Sequence, residues 1–250
     1  MLTEEHFDLF RQFRIKAMGD KLREMVDDDA YDQFTFEEKM EILIETEACA
    51  RKDRKVTKLI KQAQFKTPSA CIEDVIYLKD RTLSKDRITR YGECEWVENC
   101  EVLVIISKTG CGKSFLIQAF GNAACRRLIP VRYIRLADMC EDLNRARLAG
   151  DGSYFELMDT FKSVQLLIID DFMTTPLSTQ NAIDLFEIME AREGRCSTVI
   201  ASQLEPNEWY LRIEGELIAD SILNRIATRA RYIDLEGPNM REYLANKEIE

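Results

Sequence analysis

The chain has 250 residues, 46% hydrophobic and 32% charged, enough to bury a core without disulfides or structural metals, as one large domain or one domain with a smaller companion. A formal net charge of −10 argues mildly against a general nucleic-acid coat but leaves room for local basic patches, and no apolar run approaches the ~18 residues of a membrane span, so no membrane partner is expected. Eight scattered cysteines without a C-x-x-C pair, beside a single histidine, argue against a zinc site and suit reduced thiols in a cytoplasmic protein.

The opening Met1-Leu-Thr-Glu-Glu-His is acidic and polar, unlike a signal peptide. Phe7, Phe10, Phe13, Ala17, Met18, Leu22 and Met25 recur at spacings of mainly three and four, which predicts one amphipathic helix over 3–26, turned at Asp27-Asp28-Asp29. His6 reads as a surface or staple residue on it. Thr35-Phe36-Glu37-Glu38 has the form of a capping box, and the helix it opens is predicted to run to about Gln64. Residues 51–61 of that helix are strongly basic, either a solvated face or a stripe that contacts phosphate. Pro68 closes the segment. A small α-helical N-terminal domain, 1–66, is therefore expected ahead of a larger domain, 67–250. Residues 69–100 carry mixed signals, with one short helix expected within 84–91.

Val102–Ile106 is a β-rich apolar run that stops at a small polar loop ending in Gly112-Lys113-Ser114, and Phe115–Arg126 follows with helical spacing. Strand, glycine loop, Lys-Ser and helix form the layout of a phosphate-binding P-loop. Its glycines let backbone N–H groups turn inward as an anion nest, and the helix N-terminus adds partial positive charge. Ser107, Lys108, Thr109, Gly110, Cys111, Gly112, Lys113, Ser114 and Phe115 are the candidate nucleotide-binding residues, with Lys113 reaching the β- and γ-phosphates and Ser114 holding Mg²⁺. The pattern G-x-x-x-x-G-K-[ST] is broken once, since Ser107 stands at its first glycine.

Val131–Leu136 predicts a second strand, and 137–148 and 154–161 predict two helices separated by Gly150-Asp151-Gly152. Leu166-Leu-Ile-Ile-Asp170-Asp171 is an unbroken apolar strand ending in two carboxylates, as a Walker B element does. Asp170 at the strand's carboxyl end is placed to hold the Mg²⁺ water shell opposite Ser114, and Asp171 to polarise an attacking water. A helix over 177–191 capped near Ser178 or Thr179, a strand over 197–203, helices over 206–214 and 216–229, a last strand over 231–235 and a polar tail from Gly237 complete the chain. Five strands alternating with helices predict an α/β fold, a parallel sheet covered on both faces.

These residues together carry a family resemblance. Thr109-Gly-Cys-Gly-Lys-Ser114, Leu166–Asp171, Thr198-Val-Ile-Ala-Ser-Gln203, Ala219-Asp-Ser-Ile-Leu-Asn-Arg225 and Gly237-Pro-Asn-Met-Arg241, in that order behind the N-terminal helices, resemble the IstB-type transposition helper ATPases, AAA+ relatives of the DnaC loaders. The resemblance implies a P-loop NTPase of AAA+ type, Gln203 near the polar sensor after the fourth strand, Arg225 as the arginine finger given to a neighbouring subunit, and Arg241 as the late arginine of the C-terminal motif. It also implies that 137–149 and 153–162 face DNA, with Arg145, Arg147 and Lys162 as candidate phosphate contacts or plain surface charges. Asp171 stands where the family usually has Glu, one methylene shorter, which implies slow hydrolysis. The Asn-Lys pair Asn246-Lys247 is not followed by the Asp of a guanine-reading motif, so ATP with Mg²⁺ is the expected cofactor. The partners implied are duplex DNA, a transposase and further copies of the chain in a ring or helical assembly. A DnaC-like helicase loader and a non-hydrolysing adaptor are the alternatives.

Overall fold

The computed structural model describes residues 3–247, in two compact units, Met1–Lys58 and Leu59–Glu250. The first unit opens with two helices, α1 (Glu4–Gln12) and α2 (Lys16–Asp27), where the sequence predicted one. The break is a Schellman motif: Arg14 takes a left-handed φ of 61°, the Ile15 N–H donates to the Phe10 carbonyl at 2.9 Å, and the Arg14 N–H donates to Arg11 at 3.0 Å. Glycine usually holds that position, so an arginine there left no signal in the sequence. The long helix α3 (Phe36–Ala63) begins as expected, with Thr35 and Glu38 exchanging hydrogen bonds in a capping box, and it runs across the boundary between the units. Buried Glu47 on α3 accepts the N–H groups of Ala17 and Met18 at the start of α2, and also pairs with Arg51 and Arg54. Two members of the basic run thus neutralise a carboxylate that caps a helix.

In the second unit, helices α4 (Lys85–Gly92) and α5 (Glu95–Glu98) precede β1 (Val102–Ile106), which runs through the P-loop into α6 (Lys113–Arg126). Then come β2 (Val131–Arg135), the hairpin of α7 (Leu136–Ala149) and α8 (Ser153–Ser163), β3 (Leu166–Phe172), α9 (Thr179–Arg192) and β4 (Ser197–Ser202). The chain continues through α10 (Pro206–Tyr210), α11 (Glu216–Thr228), β5 (Ala230–Asp234) and α12 (Met240–Lys247). The five strands form one parallel sheet in the order β2-β3-β4-β1-β5, as the alternation of strands and helices predicted. Successive strand residues face opposite sides, so Leu103, Ile105, Leu166 and Ile168 build a core with α6, while Val104, Leu167, Ile169 and Ile200 build a second core with α7, α9 and α11. Among the described residues no helix is long and apolar enough to cross a membrane.

The polar tail from Gly237 folds as a further helix, α12, beyond those predicted from the sequence. Asn239 opens it: its side-chain oxygen accepts the Arg241 N–H at 3.1 Å, and its amide donates to Glu242 at 2.8 Å. An Asn followed three residues later by Glu was a legible helix start that the polar composition hid.

Candidate nucleotide site

The strand order dictates where a site forms. β4 lies between β1 and β3, so the residues that follow these three strands converge at one carboxyl edge of the sheet. The P-loop after β1 meets Gln203 after β4, where the Thr109 hydroxyl donates to Gln203 Oε1 at 2.7 Å. The loop adopts left-handed conformations at Gly110 (φ 88°) and Gly112 (φ 89°), which orient its amides as a nest at the start of α6. Ser107 is not among the left-handed residues, and its N–H donates to the Ser202 carbonyl at 3.1 Å. The backbone therefore does not require glycine there, which is why the broken pattern still makes the loop.

At the end of β3 the ladder with β4 slips between Ile169 and Phe172. Asp171 sits in this bulge with a left-handed φ of 50°, a conformation that Asp tolerates better than Glu. Asp170 is 1% exposed. Its Oδ1 accepts the Asp171 N–H at 2.8 Å and its Oδ2 accepts the Tyr133 hydroxyl at 2.9 Å. Burial pushes the Tyr133 phenol far above its usual value, and the Asp170 carboxylate pushes in the same direction, so Tyr133 stays a neutral donor.

These elements enclose a cavity of about 390 Å³, within the range of small-molecule sites. Lys108, Thr109, Gly110, Gly112, Lys113, Ser114 and Phe115 line it, as do Asp171, Gln203 and Arg241. Ser107 and Cys111 sit in the loop without lining the cavity, and Asp170 lies buried beside it. Burial lowers the Lys113 ammonium from its ordinary value; Asp170 and Asp171 oppose the shift, and Arg241 adds to it. A buried cation of this kind favours an anionic occupant. Val75, Ile76, Leu83, Met240 and Leu244 add apolar lining to the cavity, suited to the flat face of a base. The donor set fits the expected cofactor: the Ser114 hydroxyl and the Asp170 carboxylate offer hard oxygens of the kind Mg²⁺ takes, and the nest with Lys113 suits a polyphosphate.

One feature of the cavity carried no signal in the sequence, and a second was expected only through the resemblance. Arg81, which also lines it, donates to the carbonyls of Ile76 and Cys111 (2.7 Å to the latter), tying the segment that carries Ile76 to the P-loop. The C-terminal segment also lines the cavity and is tied to the P-loop, the Met240 N–H donating to the Gly110 carbonyl at 2.8 Å. A methyl group on Gly110 would lie 2.3 Å from Asn239 Oδ1, on top of the left-handed strain. Gly110→Ala is expected to lower stability by about 1–3 kcal/mol and, by displacing Asn239 and Arg241, to weaken ATP about tenfold; thermal unfolding and nucleotide titration check both.

The remaining candidates lie elsewhere. Arg225 stands near the end of α11, in a cleft shared with Val102 and Thr198 at the amino edge of β1 and β4, opposite the P-loop. It pairs with Glu190 at 3.0 Å and Glu193 at 3.5 Å and lies over the Phe186 ring. On the α7–α8 hairpin, Arg145 pairs with Glu141 and Asp142, Lys162 pairs with Glu187, and Arg147 is committed to the buried Asp184. Asp151, Glu156 and Asp159 make the hairpin acidic overall, while Leu148 (88% exposed) and Phe155 (70%) present apolar surface near its turn.

The chain matches the family model described as IstB-like ATP binding protein over residues 9–247. It is 35% identical to the insertion-sequence ATP-binding protein y4pL of Sinorhizobium fredii, covering 96% of this chain and 97% of that protein. It is 31% identical to the IS1162 ATP-binding protein of Pseudomonas fluorescens, over 82% of this chain and 87% of the other. Among solved structures, DnaI superposes with a TM-score of 0.57 at 20% identity (74% and 93% coverage) and the DnaC helicase loader with 0.56 at 17% (67% and 97%), likenesses of fold. With the P-loop, the Walker B strand and the AAA+ sheet in place, the chain belongs to the IstB-like ATP-binding protein family of insertion sequences.

Proposed function

We propose that the chain is an ATP-dependent DNA-binding regulator of transposition, which oligomerises on duplex DNA, recruits or stimulates a partner transposase, and is reset by slow ATP hydrolysis. The observation that carries this reading is the split of the machinery between the two edges of the sheet: Lys113, Ser114 and Asp171 line the cavity at one edge, and Arg225 stands at the other. No single copy brings them together, so a complete site needs a second copy. Bound Mg²⁺ would neutralise phosphate charge and orient the γ-phosphate. Lys113 and the P-loop amides hold the phosphates, Asp171 and Gln203 orient the attacking water, and Arg241 contributes charge from α12. The short Asp171 side chain, raised into the cavity by its bulge, supports hydrolysis that is slow and dependent on assembly. The insertion-sequence relatives favour a transposase as the downstream partner.

Sedimentation with a long DNA duplex tests this reading. ATP is expected to drive a large complex onto the duplex, ADP to leave the chain small, and Lys113→Ala to assemble in neither nucleotide. A chain that stays small in ATP contradicts duplex assembly, and a complex that forms only on single strands points instead to helicase loading.

A further inference from the structure

Asp170 is a metal-ligand candidate whose two oxygens are both already held by the protein. The Asp171 N–H occupies Oδ1 and the Tyr133 hydroxyl occupies Oδ2. The amide is local and comes with the bulge. The hydroxyl comes from another strand: Tyr133 registers with Ile168 in β3, and its side chain reaches two residues further along the same face. Tyr133 is buried, with its ring 6.4 Å from that of Phe65. Two donors on opposite oxygens fix the rotation of a carboxylate whose remaining lone pairs are free to accept from metal-bound water.

We propose that Tyr133 is a positioning residue for the nucleotide's metal: its hydroxyl locks the Asp170 carboxylate in the orientation that holds the Mg²⁺ water shell opposite Ser114. The proposal rests on the Mg²⁺–ATP reading of the cavity. Tyr133 does not line that cavity, and so acts only through Asp170. Removing the hydroxyl leaves the buried carboxylate one donor short and free to turn. Partners that orient a ligand in this way are worth about 10–100-fold in metal affinity. The nucleotide itself, held by the P-loop and Lys113, is untouched.

The test is Tyr133→Phe in the full chain, with a fluorescent ATP analogue titrated with and without Mg²⁺ and Mn²⁺ binding followed by electron paramagnetic resonance. Expected are metal-free nucleotide affinity within about twofold of wild type and a divalent-ion midpoint raised by about tenfold or more. Replacing Tyr133 with para-aminophenylalanine restores a donor and is expected to recover most of the loss, which a purely structural role of the ring would not require. A wild-type midpoint retained in Tyr133→Phe overturns the proposal alone. Wild-type nucleotide binding that is indifferent to Mg²⁺ overturns the metal reading and the proposal together. If Tyr133→Phe loses metal-free affinity to the same degree, Tyr133 supports the fold and the proposal fails.

Discussion

Arg225→Ala is expected to lower ATP turnover in the assembled protein by about 10³–10⁵-fold, the worth of an arginine finger supplied in trans, while leaving ATP affinity of the isolated chain within about threefold. The structure separates the two effects. Arg225 lines no part of the nucleotide cavity and lies at the far edge of the sheet, so its removal leaves the chain's own binding groups in place. Its ion pairs with Glu190 and Glu193 are partly exposed and contribute about 1 kcal/mol or less to stability, so unfolding does not explain a large loss. Arg225→Lys keeps the charge but loses the planar fork, and most of the rate is expected to go with it. Phosphate release over duplex DNA and nucleotide titration of the free chain are the two measurements. Turnover within tenfold of wild type removes Arg225 from the reaction.

The second large effect is on the fold. Arg192 ends α9 at 1% exposure, and among the described residues no carboxylate is a hydrogen-bond partner to it. Its guanidinium donates to the Phe161 carbonyl at 2.8 Å, the Val164 carbonyl at 2.7 Å, the Thr198 hydroxyl at 3.0 Å and the Ser197 carbonyl. It thus joins the carboxyl end of α8, where backbone carbonyls lack helical partners, to the start of β4. Burial pushes the Arg192 guanidinium down to about 10, so it remains a cation at neutral pH. Arg192→Met keeps much of the volume but strands several buried acceptors. A loss of about 3–5 kcal/mol is expected, equivalent to a fall of about 6–20 °C in Tm for a domain of this size. Circular dichroism on heating measures it; a fall of less than about 2 °C would show that water or relaxation satisfies those carbonyls.

The sheet was legible in the sequence because buried parallel strands are unbroken apolar runs: Val102–Ile106 and Leu166–Asp171 could be seen almost to the residue. The glycine loop and the apolar strand ending in Asp170-Asp171 could be placed at one cavity too, because such local patterns have a fixed place in an α/β fold. What stayed hidden depends on contacts distant in sequence. Arg81 meets Cys111, and Tyr133 meets Asp170, only once the sheet has formed. The pairing of Arg147 with Asp184 was equally hidden, because Asp184 lies on another helix. The break between α1 and α2 escaped for a local reason, since it uses Arg14 where glycine would have announced it.

Mixing two inactive variants tests the central claim, that the nucleotide site is completed by a second copy. Asp171→Asn keeps the P-loop and Lys113, and so ATP binding and assembly, but lacks the carboxylate that orients the water, and it still carries Arg225; Arg225→Ala keeps its cavity but carries no finger. Measured on duplex DNA in ATP, each alone is expected to be nearly inactive. The mixture is expected to recover a substantial fraction of wild-type turnover, through sites built from the cavity of one variant and the arginine of the other. A mixture no more active than the sum of its parts would contradict a site shared between subunits.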